Sequence, residues 1–333
     1  MILACILALS TTAARTDGVR LDIATRPYLD LHFYVRTLAA SKDPVPELAG
    51  LAPAVEAARA LDAELGGPLD WGYVEGLLGD CATAKEARAA LAEARESITL
   101  RSGKTVALRA AALRLAAALE QAEPAFLEKL WPEHRRAIEE VAAQIAKGFG
   151  GKESECLAYM ARSLALSPEA RAIPVRLVFA QPAPGAVTHA SPAGTGVCFV
   201  SVQNAKGTQL LETLLHESTH ALDIATPAAT PVSSGGVLDE LRARLEQAGF
   251  TGKDRESRDV PHTLMFVQAG ETIRRLVDPQ HEHYGVVAHY YDKVRTVADI
   301  ELPVWKDFLD GKCTRDDALG RIVSGVVAAR KPK

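Results

Sequence analysis

The sequence predicts a predominantly α-helical α+β fold, in which a helical first half precedes a small sheet and one amphipathic helix. Three observations lead to this prediction. Residues 26–167 are rich in alanine and leucine, and their apolar side chains recur at helical spacing. Two short runs, "VRLVFAQ" at 175–181 and "GVCFVSVQ" at 196–203, have the β-branched composition of strands. Helical spacing returns at 207–223.

The first sixteen residues have the composition of an export signal. A short apolar run, "MILACILAL", precedes the small residues at 10–14, as at a signal cleavage site. The tetrapeptide "ILAC" at 2–5 is also similar to a bacterial lipobox. We therefore expect a secreted, periplasmic or cell-envelope protein, a lipoprotein being one form of the last. The expected organisation is a signal at 1–16, a helical domain at 17–167 and a second domain at 168–333.

The cysteines agree with export but allow two interpretations. Removal of the signal would leave Cys81, Cys156, Cys198 and Cys313, an even number that permits two disulfides in one of three pairings. Four dispersed buried thiols are the alternative. None of the cysteines has C-x-x-C spacing, which argues against a zinc knuckle or a thioredoxin-like site.

Charge and hydropathy argue against two classes of partner. The formal net charge is −4 and the basic residues are scattered, so the sequence indicates no nucleic-acid surface. Beyond the N-terminal signal there is no apolar run of the length that a membrane span needs, so we expect no further integral membrane segment. The oligomeric state is left open.

The stretch "LLHESTHALD" at 214–223 indicates a metal site. On a helix, His216 and His220 lie one turn apart on the same face, where both imidazoles can meet one ion. This is the spacing at which two histidines hold Zn²⁺, while Glu217 between them reaches a metal-bound water as general base. The opposite face is apolar, as a helix packed on a core requires; it carries Leu210, Leu211, Leu214, Leu215, Ala221 and Leu222.

A strand leading into an H-E-x-x-H helix resembles the zincin metallopeptidases. The resemblance covers about residues 175–291, and its one sharp motif is His216, Glu217 and His220. It implies a small twisted sheet whose edge strand pairs with the backbone of a peptide substrate. Residues 196–202 are the expected edge strand, and 168–333 the expected zincin-like catalytic domain.

The third metal ligand is predicted from the gluzincin-like branch, because the histidine continuation of metzincins is replaced by Asp223 and Thr226. This branch implies a glutamate on a later helix, and Glu271 is our candidate. It lies in the largely apolar run 262–277, where a buried carboxylate needs a partner such as a metal ion. A salt bridge to Arg274 or Arg275 is the alternative partner.

Two other residues, Glu240 and His262, are alternative candidates for the third ligand. Nineteen residues lie between His220 and Glu240, a spacing similar to the thermolysin-like arrangement, but Glu240 falls away from the apolar stripe of its helix. His262 begins the apolar run 262–277 and is about half a turn out of phase with Glu271, so the two would not share a metal. Asp223 lies near His216 on the motif helix and could orient its ring.

The resemblance also implies an oxyanion stabiliser and a reaction. A tyrosine or histidine commonly has this role in gluzincins, and the run "HYGVVAHYYDKV" offers Tyr290, with Tyr284 as an alternative. We therefore predict a zinc-dependent peptidase in which Glu217 takes a proton from the attacking water and passes it to the leaving amine. The alternatives are a non-catalytic helical binding or scaffold protein with a coincidental or inactive motif, and a zinc hydrolase for a non-peptide bond.

Overall fold

A computed structural model of the chain describes residues 18–42, 45–65, 68–79, 81–100, 103–166, 172–203, 206–225 and 236–330. About 65% of it is helical, with a small mixed sheet of four strands, so the predicted predominantly helical α+β class is confirmed. The predicted signal at 1–16 lies outside the described residues. Within them, no helix combines the length and apolar character needed to span a membrane.

The strands and helices of the described residues are numbered in chain order. The strands are β1 (Arg20–Ala24), β2 (Ile98–Thr99), β3 (Thr105–Val106), β4 (Ala172–Val178), β5 (Ala186–Ala190) and β6 (Gly196–Ser201). The helices are α1 (Pro27–Ala40), α2 (Leu51–Leu65), α3 (Gly72–Leu78), α4 (Ala84–Ala92), α5 (Leu108–Lys129), α6 (Trp131–Phe149), α7 (Glu153–Ser163), α8 (Gly207–Ala225), α9 (Val237–Gln247), α10 (Glu256–Leu276), α11 (Tyr284–Val287), α12 (Tyr290–Lys293), α13 (Arg295–Leu309) and α14 (Arg315–Ala329).

The central sheet has the strand order β1-β4-β6-β5, in which β1, β4 and β6 are parallel and β5 is antiparallel to β6. The prediction that residues 196–202 form an edge strand is therefore wrong, because β6 has β4 on one side and β5 on the other. The edge next to β6 is β5, whose sequence "AVTHA" lies in the connection between the two predicted strands.

Helices cover both faces of this sheet. Successive side chains of β6 point to opposite faces, so Val197 and Phe199 belong to one apolar core and Cys198 and Val200 to another. The first core is built with helices α1 to α5, and the second with helices that include α6, α7, α8 and α10. The division expected near residue 167 is thus crossed at several points: β1 pairs with β4, and α6 and α7 lie on the same side as α8.

The four cysteines left open by the sequence form no disulfide among the described residues. Cys81, Cys156 and Cys198 are buried, and Cys313 is half-buried. Of the two interpretations, the structure thus agrees with dispersed thiols.

Candidate metal centre

Helix α8 lies against the sheet at very short distance. Its leucines fill the second core, as the amphipathic pattern predicts. Gly196 at the start of β6 makes the approach possible, since a Cβ built there would lie 2.4 Å from the Cα of Ala221. The polar residues of the motif are consequently held between the sheet and the next layer of helices.

Three histidines converge beside this helix. His216 and His220 come from successive turns of α8, and His262 comes from the second turn of α10. One ring nitrogen of each lies within 4.8 Å of those of the other two. The ring centroids are 4.9 Å apart for His216 and His220, 5.0 Å for His216 and His262, and 5.5 Å for His220 and His262.

The structure does not bring Glu271 to this cluster, so its assignment as third ligand is corrected in favour of His262. Both residues lie on α10, nine positions apart, which turns Glu271 to the opposite face and separates the two by about 13 Å along the axis. The Glu271 carboxylate lies 3.1 Å from each of Arg274 and Arg275, and 3.3 Å from His283. Although burial opposes ionisation, these groups hold the pKa of Glu271 below its usual value.

Glu240 and Asp223 have other partners as well. Glu240 is half-buried and pairs with Arg244, which also pairs with Asp316. Asp223 lies 3.4 Å from a guanidinium nitrogen of Arg242. Nδ1 of His216 is buried without a hydrogen-bond partner among the described residues, so Asp223 does not hold that nitrogen.

Tyr290 contacts the third histidine. Its hydroxyl lies 3.0 Å from Nδ1 of His262 and 3.2 Å from Oγ1 of Thr263. Burial raises the pKa of Tyr290 to about 12, so the hydroxyl stays protonated and can donate to the imidazole. The hydroxyl can therefore orient the ring of His262, which would leave Nε2 as the nitrogen available to a ligand. The role of Tyr290 as oxyanion stabiliser stays a prediction. Tyr284 stacks on Phe266 instead, with ring centroids 6.2 Å apart.

Glu217 is buried between α8 and the edge strand. The hydroxyl of Thr188 on β5 lies 2.6 Å from Oε2 of Glu217, to which it donates, and 3.0 Å from the carbonyl oxygen of the same residue. Burial raises the pKa of Glu217 to about 7, and the Thr188 hydrogen bond works against that rise. A carboxylate with a pKa near neutrality can both accept and release a proton.

The electrostatics of the cluster favour neutral imidazoles. Burial, reinforced by the neighbouring His220 and His262, holds the pKa of His216 well below its ordinary value. Burial also lowers the pKa of His220 to about 3 and that of His262 to about 4. A metal requires the neutral form of histidine, so the three residues are in the protonation state that metal binding needs.

The surroundings of His216 also fit a metal ligand. Phe266 on α10 stacks on its ring, with centroids 3.7 Å apart and planes inclined by 20°. The side chain is 3% exposed, yet its buried Nδ1 has no hydrogen-bond partner among the described residues. Three neutral, converging imidazoles, one of them with an unsatisfied nitrogen, form a donor set suited to Zn²⁺ and to several other transition metals.

Two residues of the site were not identified from the sequence. Thr188 lies in the connection between the two predicted strands, where the β-branched pair Val187 and Thr188 was the available signal for a strand. Phe266 lies four positions after His262, and this helical spacing placed it on the same face.

Comparisons with protein families, curated proteins and solved structures found no match to this chain.

Proposed function

We propose that this protein is a metal-dependent hydrolase of peptide bonds, with Zn²⁺ as the metal. The observation that carries the proposal is the convergence of His216, His220 and His262 beside a buried Glu217. Three histidines and one open position are the ligand set of a catalytic zinc site. A metal bound there would polarise an attacking water or the scissile carbonyl.

The chain's own residues supply the proton transfers. Glu217 accepts a proton from the attacking water and delivers it to the leaving nitrogen, as general base and then general acid. Thr188 fixes the carboxylate through its 2.6 Å hydrogen bond. Tyr290 fixes the ring of His262. A peptide is favoured as substrate because the strand that carries Thr188 is an edge strand, to which an extended backbone can add.

The proposal is tested by Glu217→Gln, which keeps the size of the side chain and removes the base. We expect wild type to contain close to one metal ion per chain and to cleave members of a peptide library. The variant should retain the metal and lose about a hundredfold or more in rate. If wild type binds metal but cleaves no peptide, a non-catalytic metal-binding protein replaces the peptidase. If it binds no metal even after reconstitution, the proposal fails.

A further inference from the structure

Along the free edge of β5, only alternate residues point their backbone N–H and C=O groups outward. Ser191 donates its backbone N–H to Thr195, and Ser201 donates to Gly185. In the antiparallel register with β6, these bonds place the odd-numbered residues of β5 in the hydrogen-bonded pairs. The backbone N–H and C=O groups of Ala186, Thr188 and Ala190 consequently point away from β6, towards the edge where a substrate strand would add.

Helix α3 closes this edge at Ala190. A Cβ built on Gly76 would lie 2.2 Å from the carbonyl oxygen of Ala190, so the helix backbone is in direct contact with it. A Cβ on Gly72 would lie 2.8 Å from the ring of His189, and one on Gly79, just after the helix, 3.1 Å from the side chain of Val197 on β6. The side of α3 that faces β5 carries no side chain at Gly72 or Gly76, which lets the helix backbone approach Ala190 closely.

Buried ion pairs hold α3 in this position. Glu75 on α3 is 1% exposed and lies 2.8 Å from Nε2 of His189, the neighbour of Ala190 on β5. It also pairs with Arg36 on α1, whose guanidinium lies 4.1 Å from the ring centroid of Trp71. Breaking a buried pair of this kind leaves an uncompensated charge, which is strongly unfavourable. The contact between α3 and β5 is thus a fixed part of the fold.

The metal centre lies alongside the same short stretch of β5. Thr188 holds Glu217, and Gly196, which pairs with Ala190, contacts Ala221 next to His220. Helix α8, which carries two of the histidines, and α3 therefore meet β5 at neighbouring outward positions, Thr188 and Ala190. From Thr188, backbone pairing can continue towards α3 for about two residues, or about 7 Å, before it meets the helix.

We propose that the enzyme removes short fragments from one end of a peptide chain, because α3 blocks a substrate that continues past Ala190. This inference rests on the proposed peptidase function. On the blocked side of the scissile bond, the site accepts about one to three residues. The opposite side follows β5 towards Ala186 and accepts a longer chain.

The test uses the full-length, metal-loaded protein and a cleaved peptide from a mixed library. That peptide is remade with four extra residues at the amino end, at the carboxyl end, at both ends, and as a head-to-tail ring. We expect fragments of about one to three residues from one terminus, identified by mass spectrometry. Extension at that terminus should reduce cleavage of the original bond by at least about tenfold, whereas extension at the other should have little effect. The ring should resist cleavage.

Two results would overturn the chain-end proposal: cleavage of the ring, or cleavage of the original bond in the doubly extended peptide at an undiminished rate. Either result would leave the proposed peptidase function standing. Failure to cleave any peptide would instead remove the peptidase function, and this proposal with it. Glu217→Gln serves as the control for a contaminating peptidase, since it should cleave none of the four.

Discussion

The hydroxyl of Tyr290 lies 3.0 Å from Nδ1 of His262, so a residue of one short helix fixes the ring that completes the histidine cluster. Such hydrogen bonds set the tautomer and the orientation of a metal-binding imidazole. We expect Tyr290→Phe to weaken metal affinity by about ten- to a hundredfold, measured by competition with a chromophoric chelator. Tyr284→Phe, in the same segment, should leave the affinity near wild type. An unchanged affinity in Tyr290→Phe would contradict this role.

Substitutions of His262 and Glu271, both on α10, should have opposite effects on the metal content of the protein. His262→Ala removes one of three converging ligands and should abolish stoichiometric binding in elemental analysis. Glu271→Gln breaks contacts with Arg274, Arg275 and His283, so it should lower stability while leaving one metal per folded chain. If Glu271→Gln lost the metal and His262→Ala retained it, Glu271 would again be the third ligand.

Substitution of Thr188 is expected to lower the rate of peptide cleavage without changing the metal content. Thr188→Val keeps the shape of the side chain and removes the hydroxyl that holds Glu217. A carboxylate that is no longer held in place should reduce the rate of peptide cleavage by about ten- to a hundredfold. Thr195→Val is the matched control, because Thr195 lies in the same hairpin and bonds to Ser191 instead. Equal rates in the two variants would show that Thr188 does not position the base.

Glu301 should make stability depend on pH. It is fully buried on α13, neither carboxylate oxygen has a hydrogen-bond partner among the described residues, and burial raises its pKa well above the usual value. A raised pKa in the folded state means that the proton stabilises the fold at low pH. That stability is complete below the unfolded pKa, near 4.3, and is lost as pH rises through the folded pKa.

Glu301→Met replaces the carboxyl with an apolar group of similar length. We expect its free energy of unfolding, from urea titrations at pH 5 and pH 8, to change less between the two than that of wild type. Its advantage over wild type should be larger at pH 8. A steeper loss in the variant at alkaline pH would contradict the assignment.

Gly196 and Gly320 should respond to alanine in opposite directions. Gly196→Ala places a Cβ against the backbone of Ala221, so we expect a loss of about 1–3 kcal/mol in the free energy of unfolding. The nearest atom to a Cβ at Gly320, within α14, is 3.9 Å away, and alanine there should add about 1 kcal/mol through helix propensity. A tolerated Gly196→Ala would show that α8 can move from the sheet.

Local patterns in the sequence determined the helical class, two strands of the sheet and the pairing of His216 with His220, because helical and strand periodicity are properties of neighbouring residues. The same periodicity showed that His262 and Glu271 cannot both bind one metal, but it did not determine which of the two faces α8. Only packing decides that, since both lie on one helix and the choice depends on its rotation against α8. Likewise, "AVTHA" becomes the edge strand because β6 supplies its partner, and Thr188 reaches Glu217 across 29 positions of sequence. Contacts over such separations depend on how the layers assemble, which is why the tertiary structure alone decided them.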